Sequence, residues 1–444
     1  MANIRSQEEL LEEEKRLREE IEKKHGKTPE QLYEERAKRI WDTVQLKEPD
    51  RVPVVLGGTL FAARYGGLDF ASAYYDPIAW KQAYIKMMMD FEPDAYGTAG
   101  VMDSGLVLEA MDPKETLWPG GPLPPDAPYQ FVEMEIMKGD EYDLFLSDPS
   151  DFMLRYYLPR LYGTLAPLSK LAPLRNLAGF AGFTAILDMF TDPEFKELAE
   201  KLNKAGQEQA KWRKVMGNWR EELASLGFPP AQGMGGAGGA PFEQISSRLR
   251  GMRGAMLDIY QRPEKVLAAS EMIQGWNLSR AVPPDLTKRG NPRLGGGGGI
   301  LRGAEGFISK KHFETFYWPF LKKALLASFD LGYVCSIFCE GRCDDRLEYF
   351  LELPKGKLVL RFAETDIFRA KDILKDHSCI MGAVPSSLLI AGSVQEVEEY
   401  CKKLIKVCGK GGGFILRATT DSIEHHKPEN IKAMVDSAKK YGGY

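Results

Sequence analysis

"GYVCSIFCEGRCDDRLEYFLELPKGKLVLRFAETD" runs from Gly332 to Asp366. It holds two short apolar runs, YVCSIF (333–338) and KLVLRF (357–362), each ending in a turn that carries acids. Neither run alternates apolar with polar, the pattern of a strand buried on both faces. A helix-like segment, DDRLEYFLEL, lies between them. The unit then repeats. SCIMGAV (378–384) precedes the helical SVQEVEEYCKKLIKVCG (393–409), and GGFILRA (412–418) precedes KPENIKAMVDSAKKYG (427–442). Four consecutive strand-then-helix units predict an α/β protein with a parallel sheet covered by helices. With candidate strands near residues 52, 95, 175 and 230, a closed (β/α)8 TIM barrel is the economical solution. A doubly wound open sheet is the alternative.

Outward from this block, the N-terminal residues 1–48 read as a helical extension. Residues 6–24 carry a thin apolar stripe of Leu10, Leu17 and Ile21, with Glu12/Arg16, Glu14/Arg18, Glu19/Lys23 and Glu20/Lys24 in the favourable i,i+4 order. Such an arm packs on the body or on a second subunit, so a homodimer stays open. A second helix covers 29–46, and the barrel occupies 49–444. Its first strand is Val52 to Leu56. Residues 111–150 are rich in proline, glycine and acid and form an excursion with a hairpin around YQFVEMEIM (129–137). Residues 182–227 read as largely helical. The glycine-rich AQGMGGAGGAPF (231–242) and LGGGGGIL (294–301) match no phosphate-binding fingerprint. They read as loops whose glycines let backbone approach a ligand or another strand.

Composition narrows the function classes. The 444 residues are 44% hydrophobic and 27% charged, with a net charge of −4, as in soluble globular proteins. No basic surplus points to nucleic acid. No apolar run approaches the roughly 18 residues that span a bilayer, and the first residues have no apolar leader core. Six cysteines are too sparse for a disulfide framework, which makes a reducing cytoplasm the expected setting.

In a barrel of this kind, function sits just past the C-terminal ends of the strands. That rule collects Cys339, Glu340 and Gly341 after the first run, and Glu364 and Asp366 after the second. It adds Pro385 and Ser386 after the third, and Thr419, Thr420 and Asp421 after the last. Cys339 and Glu340 are of zinc-ligand type, but no second CxxC or HxxxH pair completes a structural site. Packing of Cys339, with Glu340 as a helix-start charge, is the alternative. Cys379, preceded by His377, opens a strand and so falls toward the opposite end. Cys335, Cys401 and Cys408 read as core, His312 as surface, and His425 and His426 as a loop on the functional side. Arg248, Arg250 and Arg253, with Asp258 following, form either ordinary helix ion pairs or an arginine fork for a carboxylate.

Several segments together resemble the uroporphyrinogen decarboxylase superfamily, particularly its corrinoid-dependent methyltransferase branch. They are ERAKRIWDTVQLKEPDRVPV, PYQFVEMEIMKGDEYDLFLSDP, APFEQISSRLRGMRGAMLDIYQRPEKV, FISKKHFETFYWPFLKKAL, DRLEYFLELPKGK and the block from IMGAVPSSLLIAGS to the final helix. The resemblance implies a TIM barrel with its active site at the C-terminal mouth. The decarboxylases carry an RQAGRY-like segment where this chain has GGTLFAARYGGLDF, with only Arg64 nearby. The methyltransferase branch implies zinc held by a His-x-Cys pair and a later cysteine. Cys339 matches the cysteine of the pair, but Ile337 and Phe338 precede it, and Thr419, Thr420 and Asp421 stand where the late cysteine is expected. A zinc set, if kept, is rebuilt from Cys339, Glu340 and Cys379, with Glu364 and Asp421 as further donors. No corrinoid-binding DxHxxG occurs, so the resemblance implies cobalamin carried by a separate corrinoid protein.

The expected function is therefore methyl transfer between a small methyl donor, such as an aryl methyl ether, and the cobalt of that partner. Glu340, Glu364 and Asp421 are the candidate catalytic acids. Arg253 and Asp366 are candidate substrate contacts, and Tyr129, Phe242 and Phe307 candidate apolar lining. A decarboxylase-like lyase without metal and a non-catalytic binding barrel are the alternatives.

Overall fold

The computed structural model describes residues 7–97, 103–177, 184, 187, 189–233 and 235–444. The expected runs become strands β6 (Val334–Cys339), β7 (Leu358–Phe362), β8 (Cys379–Val384) and β9 (Phe414–Ala418). They pair in parallel, in that order. The first two strands are short, β1 (Val55–Leu56) and β2 (Ala95–Tyr96), and pair in parallel. Residues 98–100 of the expected second strand lie outside the described residues.

Two expectations are corrected. The segment near 175 is not a strand: Leu174–Leu177 is a short 3-10 helix. LGGGGGI is not a loop: Leu294–Ile300 is strand β5, parallel to β6. Glycine weakens a strand in isolation, but paired on both sides its backbone hydrogen bonds carry the ladder. One expectation survives in altered form, because the excursion hairpin pairs β3 (Thr116–Leu117) with β4 (Gln130–Phe131) rather than folding within 129–137.

Backbone hydrogen bonds close the ring. Leu416 N donates to Pro53 O at 2.9 Å, joining β9 to β1. Tyr96 N donates to Pro229 O, and Ala231 N returns to Tyr96 O at 2.8 Å. Gly233 N then donates to Leu294 O at 2.7 Å, and Gly296 N to Gly235 O at 3.0 Å. Residues 229–233 with 235 are thus the third member, and with β1, β2 and β5 to β9 they make an eight-membered parallel barrel. Its members are very short at the arc of β1, β2 and 229–233.

The interior divides into layers. Val55, Ala95, Ala231, Leu294, Val334, Val359, Cys379 and Ile415 form one apolar cluster with Ile40 and Val44. Each of the eight barrel members contributes to it, β8 a second time through Met381, and helix Pro29–Val44 plugs the lower end. A Thr28/Gln31 capping box starts that helix. Arg39 and Arg51 pair with Asp94, which is 1% exposed and also accepts Val54 N at 2.8 Å. This holds the helix and the first strand to the same rim. The larger core lies outside the barrel, between strands and surrounding helices. Among the described residues no helix is long and apolar enough to cross a membrane.

Candidate active site

Above the apolar layer the barrel opens into a cavity of about 750 Å³. Its lining follows the pleat, because successive residues of a strand face opposite sides. Ser336 and Phe338 of β6, Arg361 of β7, Met381 of β8 and Arg417 of β9 point inward. Gly296 and Gly298 of β5, with Ala231 and Gly97, make a wall almost without side chains.

Two arginines and an aspartate define the floor. Arg361 Nη1 donates to Asp421 Oδ2 at 2.7 Å, and Arg417 Nη2 pairs with Asp421 Oδ1. The Arg361 guanidinium lies over the Phe338 ring, 4.2 Å from its centroid. Burial lowers the Arg361 pKa to about 10, against the raising effect of Glu340. Burial and the adjacent Arg361 charge also push Arg417 downward. Gly57 and Gly97 leave the room for this group. A Cβ on Gly57 would collide with Asp421 Oδ1, and one on Gly97 would collide with Arg417 Nη2. Both glycines directly follow their strands, so the backbone rather than a side chain borders the ion pair.

Above the floor stand four acids or hydroxyls already expected at the mouth: Glu340, Glu364, Thr419 and Thr420. Ser386 faces Thr419 across 3.3 Å, and Tyr129 of the excursion reaches the same cavity. Glu340 and Glu364 are exposed at the rim. Glu424, in the loop after β9, also lines the cavity, and burial raises its pKa against the opposing influence of His425 and Arg64.

The metal set does not assemble. Cys339 alternates with the inward Phe338 and so turns to the outer core, where Cys343 hydrogen-bonds its thiol and raises its pKa further than burial alone. Cys379 belongs to the apolar lower layer, level with Val359 at the start of β7, whereas Cys339 is level with Phe362 at its end. Three residues of strand separate the two levels, about 10 Å. Burial pushes the Cys379 thiol up to about 12. Among the described residues no three His, Cys, Asp or Glu side chains are grouped to hold a metal ion. The residues present do not fit the zinc site that the resemblance implies.

Other candidates fall elsewhere. Arg253 is exposed on helix Gly251–Gln261, away from the cavity. Its neighbour Arg250 is consumed by Asp258, Glu135 and the Met137 carbonyl, the ordinary ion-pair alternative. Asp366 caps helix Ile367–Leu374, accepting from Phe368 N at 2.9 Å and Arg369 N at 3.2 Å, which commits its carboxylate locally. Phe307 is 38% exposed under Arg302, and Phe242 is fully buried in the outer core. His377 sits at the lower end, bonded to Ser378 and Leu353 O. Arg361, Arg417 and Glu424 were not foreseen. Both arginines lie inside runs that read as buried strand, and an arginine at an inward-facing register was the available signal.

Residues 300–441 match the family model for uroporphyrinogen decarboxylase (URO-D). No curated protein sequence matches the chain. Among solved structures, a methyltransferase from Methanosarcina mazei shares the fold with a TM-score of 0.56 at 14% identity, over 91% of this chain and 98% of that one. The family match and the shared fold bear out the resemblance of this chain to the uroporphyrinogen decarboxylase superfamily.

Proposed function

We propose that the chain is a methyltransferase that takes a methyl group from a small methylated substrate, such as an aryl methyl ether, and passes it to the cobalt of a separate corrinoid protein. The observation that carries this reading is the mouth itself: a cavity of about 750 Å³ with the half-buried carboxyl of Glu424 in its lining. A reduced corrinoid supplies the electron pair that receives the methyl group. This chain holds the substrate and delivers the proton that the departing oxygen needs. Glu424 suits that task, because burial raises its pKa and so keeps more of it protonated near neutrality. Asp421, engaged by two guanidiniums, serves as a positioning anion. Glu340 and Glu364 are the rim acids.

The test is methylcobalamin formation from an aryl methyl ether and reduced cobalamin, followed by absorbance. Glu424→Gln should lower the rate by roughly 10²–10⁴-fold, and the wild-type rate should fall as pH rises through the raised carboxyl pKa. A Glu424→Gln enzyme of unchanged rate removes Glu424 from the role. Amide variants of Glu340 and Glu364 in the same assay then decide between the rim acids. The two buried arginines also favour a second reading, a decarboxylase-like lyase. That reading predicts carbon dioxide release from a carboxylated substrate with no corrinoid present.

A further inference from the structure

We infer that Arg361 and Arg417 form a carboxylate-binding floor, so that the substrate of this barrel is an organic acid and not a neutral molecule. The inference rests on the mouth being the substrate site, as proposed above, and adds the chemical class of what enters it.

The first ground is charge. Both arginines are almost fully enclosed, at 8% and 5% exposure. Burying a cation is costly unless it is paired and hydrogen-bonded. The two guanidiniums share one carboxylate, Asp421, which leaves one positive charge in excess on the floor. Glu340, Glu364 and Glu424 stand around the upper lining. None of them makes a direct ion pair with either arginine; the Glu340 charge acts on Arg361 only through space.

The second ground is unspent hydrogen bonding. Arg361 Nε and Arg417 Nε are buried and have no partner among the described residues. Among the described residues Arg417 Nη1 reaches only the Met381 thioether, at 3.8 Å, and sulfur of this kind is a weak acceptor. A guanidinium presents its donors as a planar fork that matches a carboxylate. An incoming carboxylate would balance the charge and occupy these donors together.

The third ground is shape. Arg361 and Arg417 lie on strands that flank β8, and β8 contributes only Met381 to the lining between them. The opposite wall is mostly glycine and alanine, with Gln232 beside Ala231, so the space above the floor is open. Phe338 and Met381 border that space near the arginines, with Leu60 and Tyr129 also in the lining. An acid with a flat apolar body fits this division: charge at the floor, ring against the lining, methylated end toward the mouth.

The test uses the full chain and two probes of matched shape, para-methoxybenzoate and the neutral para-methoxybenzamide, with binding measured by calorimetry. The acid should bind roughly 10- to 100-fold more tightly, as expected for hydrogen bonds to a charged group. Arg361→Gln and Arg417→Gln should each erase most of that preference, and Arg361→Lys should restore part of it. Equal binding of the two probes, or no binding of the acid, overturns the floor. If the glutamine variants do not fold, the wild-type preference still decides. Methyl transfer from a neutral ether with no preference for the acid would overturn the floor and leave the methyltransferase reading standing. Tight acid binding without methyl transfer would do the reverse.

Discussion

One wall of the cavity is built from absent side chains and the other from the longest ones. On β5 and at the ends of β1 and β2, Gly296, Gly298, Gly57 and Gly97 bring bare backbone to the lumen. On β7 and β9, Arg361 and Arg417 reach into it. The contrast teaches that volume and charge are set separately. Glycine removes the side chains that fill the interior of most eight-stranded barrels, and the arginines then find room and few partners.

The largest effect should come from Asp421→Ala. It leaves two enclosed guanidiniums without a countercharge, and breaking a buried pair costs about 3–5 kcal/mol. Urea unfolding measures it, and a loss below about 1 kcal/mol would mean that the arginine wall is solvated and the contrast is weaker than drawn. On the glycine wall, Gly298→Ala should be next, at about 1–3 kcal/mol. Its φ is +85°, and a Cβ would stand 2.8 Å from Gly239 Cα, a backbone atom that cannot swing away. Gly296→Ala is the control on the same strand, where a Cβ meets nothing within 4 Å, and should change stability by no more than about 0.5 kcal/mol. If the two alanines behaved alike, the wall would be tolerant and its glycines incidental.

A separate effect is one of pH, on the loop that follows Arg417. His426 is enclosed, its two ring nitrogens have no partner among the described residues, and burial lowers its pKa from 6.5 to about 4. The unfolded chain therefore binds the proton more readily. Stability from this residue is complete above pH 6.5 and is lost as pH falls from there toward 4. As pH falls across that window, the wild type should lose melting temperature relative to His426→Phe. Parallel curves would show that the histidine is solvated.

How legible the molecule was differs by region. The C-terminal strands could be read because each is a short apolar run between turn and helix, and burial on both faces leaves that mark in sequence. Strand β5 could not, since five glycines carry no apolar signal and its identity depends on hydrogen bonds to its neighbours. The FCEGRCDD motif (338–345) suggested a metal through Cys339, yet its lumen-facing members are Phe338 and Glu340. The thiol one step away faces the helices. A one-residue difference in register decides the side of the sheet, and residue type does not reveal it.

By itself, the sequence determined the repeated strand-helix units, the parallel barrel they imply, and the acids Glu340, Glu364 and Asp421 at its mouth. Those follow from local periodicity and from the rule that loops after barrel strands carry function. The tertiary structure alone decided the pairing of Arg361 and Arg417 with Asp421, the elevation of Glu424, and the separation of Cys339 from Cys379. Each depends on which side of a pleated strand a residue faces and on how deeply neighbouring strands enclose it, and these are properties of the closed ring.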